Sequence, residues 1–209
     1  MAIEAVVFDM DGVLIDAKEW HYHALNHALE HFGYAISRAE HLSTFDGLPT
    51  RRKLEMLSQE KGLPKGLHKF LNELKQQYTI EQVHVNCKPI FVHEYTLSNL
   101  KARGYKLGLA SNSIKSTVEL MMQKSNLASY LDVMLSNEDV TQPKPHPDIY
   151  LKAAEMLKVR PGNCLVVEDN LNGIKSAEAA GCPLLVVQSV FDVQLDRLLL
   201  AIRRAEERT

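Results

Sequence analysis

Ile3-Glu4-Ala5-Val6-Val7-Phe8-Asp9-Met10-Asp11-Gly12-Val13 is an apolar run that stops abruptly at two carboxylates and a glycine. Its valines, isoleucine and phenylalanine suit a pleated, buried backbone, so Ile3 to Phe8 reads as a strand. Asp9 and Asp11 leave that strand two residues apart, a spacing that lets both side chains point the same way. Gly12 lets the chain turn away at once without a Cβ penalty. Capping accounts for one of the two carboxylates. Holding both for packing alone would desolvate charge without return.

Working outward, the same short, apolar texture recurs. Lys106 to Ala110 runs into Ser111, Val133 to Leu135 is a weaker run, Cys164 to Val167 runs into Glu168-Asp169, and Leu184 to Val187 is the last. Helical patterns follow the first four. Short buried strands alternating with helices predict a parallel sheet in an α/β fold. Such sheets bind ligands beyond the carboxyl ends of their strands, where Asp9, Ser111, Glu168 and Asp169 fall.

The stretch from Asp16 to Asn86 has no strand signal and is too long for a simple crossover. Leu25, Ala28, Leu29 and Phe32 keep helical spacing, Leu54 and Leu57 begin a second stripe, and Leu67, Leu71, Leu74 and Tyr78 form a third. Gly33, Gly47 and Gly62-Leu63-Pro64 punctuate them. The predicted organisation is therefore a core of residues 1–15 and 87–209 with an inserted α-helical cap of residues 16–86. Pro89 to Arg103 predicts a returning core helix stopped by Gly104, and Asp192 to Arg208 a closing amphipathic one.

The bulk numbers are those of an ordinary globular enzyme-sized chain. With 209 residues there is room for one domain and an insert. A net charge of -2 gives no reason to expect a nucleic-acid partner, and Arg51-Arg52-Lys53 reads as a solvated helix face. No apolar run is long enough to span a bilayer, and Asp9 and Asp11 break the short apolar start, so neither membrane nor signal peptide is expected. Cys87, Cys164 and Cys182 are an odd, widely spaced set without C-x-x-C, which predicts no disulfide framework and fits a cytoplasmic protein.

The chemistry follows from the polar residues at the predicted strand ends. One carboxylate of the Asp9/Asp11 pair can attack a phosphorus atom, and the other can carry protons for leaving group and water. A phosphate is anionic, so carboxylates alone would repel it, and a cation must offset that repulsion. Mg²⁺ suits a site of carboxylates, carbonyls and water. Glu168 and Asp169 supply further acidic oxygens. Lys144, in Lys144-Pro145-His146-Pro147-Asp148, is an ammonium in a loop stiffened by prolines. Ser111-Asn112-Ser113 opens a helix whose hydroxyls and first amides can hold phosphate oxygens.

Asp9-x-Asp11-Gly12-Val13, then Ser111, then Lys144-Pro145, then Glu168-Asp169 resembles, over essentially the whole chain, the haloacid dehalogenase-like hydrolase superfamily. The closest likeness is to its group with a helical cap inserted after the first strand. The resemblance implies a Rossmann-like core. It implies that Asp9 is the nucleophile and Asp11 the acid/base, that Ser111, Asn112 and Lys144 bind phosphate, and that Mg²⁺ is held by Asp9, the Asp11 main-chain carbonyl and Asp169, with Glu168 as a ligand or in the outer shell. It implies a small phosphate ester as substrate, a sugar or polyol phosphate by family analogy, and a monomer or homodimer. Lys88-Pro89-Ile90 and Ala17 depart from the family's usual residues at their positions.

Asp11 argues against a dehalogenase, which lacks it. The rival is a sugar phosphomutase resembling β-phosphoglucomutase, whose hinge histidine His21 matches. The mutase has a basic residue before the cap glycine where this chain has Asp46, and an arginine where it has Thr50. A phosphatase is therefore expected, with the mutase as the alternative and a non-catalytic binding protein on the same fold behind both. His21, Gly47 and Arg51 are the candidate substrate contacts in the cap. His23, His27 and His31 lie on one helix face without an H-E-x-x-H order and read as a wet surface rather than a metal site.

Overall fold

The computed structural model describes residues 2–207. Five parallel strands form one sheet: β1 (Ala5–Phe8), β2 (Lys106–Ala110), β3 (Val133–Leu135), β4 (Cys164–Glu168) and β5 (Leu184–Val186). Their order is β3-β2-β1-β4-β5. The chain winds outward from β1 to β3 and then returns to place β4 on the other side of β1. That reversal makes the carboxyl ends of β1 and β4 the place where such a sheet opens a crevice. Every residue of β1 and β4 is buried, as expected of strands covered by helices on both faces.

The helices are α1 (Lys18–Glu30), a single turn α2 (Arg38–Glu40), α3 (Thr50–Lys61), α4 (His68–Asn86), α5 (Phe91–Ala102), α6 (Lys115–Lys124), α7 (Asp148–Leu157), α8 (Leu171–Ala179) and α9 (Leu195–Glu207). The fold is a Rossmann-like α/β core with a helical insertion. Two compact units result: one runs up to Asp16 and resumes at Lys88, and the other is Ala17–Cys87. Both junctions fall one residue after the boundaries read from the sequence.

Each unit has its own apolar centre. In the first, Ala5, Val7, Ile149, Tyr150, Ala153 and Val166 meet on one face of the sheet. In the second, Leu25, Leu29, Phe45, Leu54, Leu57 and Leu71 meet between helices. There the buried Asn26 side chain closes a polar clamp with the main chain of Ile36, donating to its carbonyl and accepting from its N–H, both at 2.9 Å. Met121 and Met122 are fully buried filler on α6.

Several element ends differ from the sequence reading. The first strand starts at Ala5 rather than Ile3, although Lys106 still donates to the Glu4 carbonyl. The fourth extends to Glu168 and the fifth ends at Val186. Phe32 falls beyond α1, whose chain turns at Gly33, and its ring meets Phe70 edge-on instead of joining the core. Leu67 belongs to a 3₁₀ turn before α4. Pro89 and the extended Ile90 delay α5 to Phe91. A 3₁₀ turn at Val190–Asp192 precedes α9, and the Arg208 end of the expected helix lies outside the described residues.

Candidate active site

The sheet itself places the first residues of the site. Beyond the last β1 residue, the Asp9 N–H donates to the Val167 carbonyl at 2.9 Å. Beyond β2, the Ser111 N–H donates to the Leu135 carbonyl at 3.0 Å. Both residues are thus held by a continuation of the strand ladders. Next to Asp9 the chain folds back sharply: Gly12 has φ 91 and donates to the Ile15 carbonyl at 2.7 Å. A Cβ is strained at that φ, which is why glycine sits there.

Lys144 joins the pieces. It comes from the loop between β3 and α7 and is 3% exposed. Its Nζ donates to Asp9 Oδ1 at 2.6 Å, to Glu168 Oε1 at 2.6 Å and to the Ala110 carbonyl at 2.8 Å. The Tyr150 ring centroid lies 4.8 Å away. The peptide bond from Lys144 to Pro145 is cis. The Asn112 side chain clamps this loop: its Oδ1 accepts from the Lys144 N–H at 3.1 Å and its Nδ2 donates to the Lys144 carbonyl at 3.2 Å. That side chain, expected at the phosphate, here bonds to the Lys144 main chain.

Glu168 is fully buried and heavily bonded. Besides Lys144, the Tyr150 hydroxyl donates to its Oε1 at 2.6 Å. Its Oε2 accepts from the Asp169 N–H at 3.0 Å and from Asn170 Nδ2 at 3.2 Å. Asn170 also caps α8, accepting from the Gly173 N–H at 3.1 Å. A Cβ on Gly173 would sit 1.6 Å from Glu168 Oε1, so the glycine makes room for the carboxylate.

Asp11 is half-buried, and its Oδ2 accepts from the Ser113 hydroxyl at 3.1 Å. Ser113 in turn donates its N–H to Ser111 Oγ at 3.0 Å. The Ser111-Asn112-Ser113 stretch therefore spends one residue on each neighbour: Ser113 orients Asp11 and Asn112 holds Lys144. Ser111 itself is buried.

Asp9, Glu168 and Asp169 each present an oxygen within 4.8 Å of one another, the cluster among the described residues whose donor atoms could hold a metal ion. Three hard oxygens fit a divalent cation. The electrostatics ask for one. Burial, then the charge of Glu168, push the Asp9 carboxyl well above the usual carboxylate range, against the pull of Lys144. Burial opposes the Lys144 charge as well, but Asp9 and Glu168 outweigh it and hold that pKa above its ordinary value. Burial and Glu168 push the Tyr150 hydroxyl far up, so it stays a donor. One ammonium among these carboxylates leaves negative charge that a further cation would offset.

In the helical unit, His21 is half-buried and its Nδ1 lies 3.2 Å from Lys75 Nζ. Lys75 and Lys53 are 7% and 6% exposed. Gly47 has φ 71 just ahead of α3. Arg51 is exposed, its Nε 3.4 Å from Glu55. His23, His27 and His31 are all exposed; the His27 ring stacks on Tyr78 at 3.9 Å, and His31 shares a 2.9 Å hydrogen bond with the Tyr78 hydroxyl. The sequence reading named Ser113 only as part of the phosphate-holding Ser111-Asn112-Ser113 stretch, not as a partner of Asp11, and it named none of Tyr150, Asn170, Gly173 or Lys75. Ser113 and Asn170 carried a signal, being polar neighbours of named motif residues. Tyr150 and Lys75 sit in helical stripes that look like any other.

Comparison with known proteins agrees with this geometry. Residues 6–187 match the family described as haloacid dehalogenase-like hydrolase. A phosphorylated carbohydrates phosphatase of Thermotoga maritima is 31% identical over 195 residues, covering 91% of this chain and 88% of the relative. The pyrophosphatase PpaX of Bacillus mycoides is 29% identical, covering 90% and 84%. In fold, the chain superposes on a β-phosphoglucomutase from Clostridium difficile with a TM-score of 0.86 at 23% identity, covering 99% and 100%. The strand-end carboxylates, the lysine between them and the match over most of the chain lead to one conclusion: the chain belongs to the haloacid dehalogenase-like hydrolase family and is one of its phosphatases.

Proposed function

We propose that this phosphatase is Mg²⁺-dependent and hydrolyses a small phosphate monoester, a sugar or polyol phosphate, through an aspartyl-phosphate on Asp9. The observation that carries the reading is the Lys144 ammonium seated between Asp9 and Glu168, 2.6 Å from each, beside Asp169. A purely structural lysine needs one carboxylate. Gathering three carboxylates at the open end of β1 and β4 has no packing advantage and a large electrostatic cost.

Asp9, fixed at Oδ1 by Lys144, attacks phosphorus in line. Asp11, oriented by Ser113, gives its proton to the leaving alkoxide. It then takes a proton from the water that attacks the aspartyl-phosphate and releases inorganic phosphate. Ser111, the Asn112 main-chain N–H and Lys144 hold the phosphoryl oxygens. A Mg²⁺ ion held by Asp9, Asp169 and the Asp11 main-chain carbonyl, with Glu168 supporting, offsets the charge of carboxylates and phosphate when bound. His21, Gly47 and Arg51 contact the leaving group. We place the enzyme in the cytoplasm as a monomer or homodimer. The name of the Thermotoga maritima relative supports a phosphorylated carbohydrate as the first substrate to try, and that of the Bacillus mycoides relative adds pyrophosphate to the panel.

The test is phosphate release from a panel of phosphorylated metabolites, with and without Mg²⁺, with isomerised product assayed in parallel. Asp9→Asn should keep the fold by circular dichroism and lose at least ~10³-fold in rate, as expected for removal of a nucleophile. Mg²⁺-dependent turnover surviving in that variant would remove Asp9 from the reaction. Isomerised sugar phosphate with little free phosphate would make the enzyme a mutase.

A further inference from the structure

The sheet brings together two cysteines that lie far apart in the sequence. β4 starts at Cys164, and β5 lies beside it with Val166 opposite Leu184. The Val166 N–H donates to the Pro183 carbonyl at 2.8 Å, so the pairing extends ahead of β5. Carried back two residues, the same register sets Cys164 opposite Cys182. Residues opposite one another in parallel strands send their side chains to the same face. The end of α8 fixes Cys182 independently. Gly181, at φ 73, donates to the Glu178 carbonyl at 3.0 Å, and Cys182 donates to the Ala177 carbonyl at 3.1 Å, the paired bonds of a Schellman turn. Both side chains enter the core cluster that contains Tyr150, and each thiol acts on the other's pKa. Neighbouring strands are ~4.8 Å apart. That separation lies within the ~4.4–6.8 Å between Cα atoms that a disulfide spans.

We propose that Cys164 and Cys182 are an oxidisable dithiol, which hydrogen peroxide converts to a disulfide that slows the neighbouring active site. Cys182 is the first to react. At 7% exposure it is the more accessible of the pair, against 1% for Cys164, and it stands just ahead of a three-residue edge strand whose local opening admits a small oxidant. The interaction with Cys164 also lowers the Cys182 pKa, and the same interaction, with burial, raises that of Cys164. The Cys182 thiolate attacks one peroxide oxygen, the O–O bond breaks, and the departing oxygen leaves as water after taking a proton. The Cys164 sulfur then attacks the sulfenic sulfur, the S–S bond forms, the S–O bond breaks, and a second water leaves. Two thiols are oxidised and one peroxide is reduced to two waters.

The link to the site runs through Tyr150, which shares the cluster with both cysteines and donates to Glu168 Oε1 at 2.6 Å. To form a disulfide the two sulfurs must close to ~2.05 Å. A close-packed interior passes such a movement to its neighbours. Glu168 then loses its fit against Tyr150, and Glu168 is one of the two carboxylates that seat Lys144.

The experiment treats reduced, full-length enzyme with hydrogen peroxide. Thiols are counted after denaturation, the cross-linked peptide is identified by mass, and the Mg²⁺-dependent rate on p-nitrophenyl phosphate is followed. Free thiols should fall from three to one, and the rate several-fold, both returning with dithiothreitol. Cys182→Ala should keep the basal rate and resist peroxide, with Cys164→Ala serving where that variant misfolds. Cys87→Ser should still lose two thiols. Three surviving thiols, a disulfide with no change in rate, or equal inhibition of the Cys182 and Cys164 variants would overturn the proposal.

Discussion

The two units of this chain bury cations in different company. In the α/β core, Lys144 sits against two carboxylates at 2.6 Å, and the strand ladders fix the position of Asp9. In the helical unit, Lys75 lies beside the imidazole of His21, and Lys53 lies close enough to His41 to act on its charge. His41 is buried, and burial first, then Lys53, lowers its pKa to about 4. The core settles charge with opposite charge; in the helical unit, burial keeps the His41 imidazole neutral with Lys53 nearby. In the first arrangement the loss of one member strands the others. In the second, the changes stay local and depend on pH.

Removing Lys144 should expose that difference most strongly. Lys144→Met leaves Asp9 and Glu168 facing each other in a buried site. Breaking a buried ion pair on one side costs about 3–5 kcal/mol. A denaturation midpoint read with and without Mg²⁺ measures it, and turnover should vanish along with the stability. The double variant Lys144→Met/Glu168→Gln should recover part of the loss, because the neighbouring charge is removed too. A single variant within about 1 kcal/mol of the parent would mean that the core tolerates uncompensated charge, and the contrast with the helical unit would collapse.

This asymmetry also explains which parts were legible in the sequence. Strand ends are marked by an abrupt change from apolar to polar residues, and the sheet forces whatever follows a strand to its carboxyl edge. Asp9, Ser111, Glu168 and Asp169 were therefore readable one motif at a time, and Lys144 by the prolines around it. Tyr150 was not, because its ring belongs to the core stripe of α7 and only its hydroxyl reaches Glu168. The nearness of Cys164 and Cys182 was hidden because strand order, which decides it, is absent from local pattern. In the helical unit, helical period revealed the apolar face. It could not reveal which lysines on that face would be buried: Lys53 looked like part of a wet basic run and is 6% exposed.

Acid titration should separate the units by sign. His41 has a folded pKa near 4 against an ordinary 6.5, so the unfolded chain binds its proton first. Its contribution is complete above pH 6.5 and is lost as pH falls toward 4, by roughly 3 kcal/mol at most. Asp9 works the other way. Its folded pKa is raised, so the folded state binds the extra proton, and stability declines as pH rises from 3.8 through the folded value. Unfolding free energy measured from pH 7 to 4 should fall less steeply in His41→Leu than in the parent. An unchanged slope would show that His41 does not titrate on unfolding as its burial requires.

The smallest effect on stability is expected at Arg51, and there it is informative because it is small. Its side chain is 90% exposed, and its Nε reaches Glu55 at 3.4 Å one helical turn on. Exposed pairs are worth ~0–1 kcal/mol. With arginine on the N-terminal side, this one has the weaker of the two helical orientations. Arg51→Ala should move the unfolding free energy by less than about 0.5 kcal/mol. A substrate contact would show instead in the kinetics. If Arg51 meets an anionic part of the leaving group equally in ground and transition states, KM rises several-fold while kcat holds. The same substitution then separates two roles that stability cannot. A KM that stays put on a charged substrate assigns Arg51 to the helix surface.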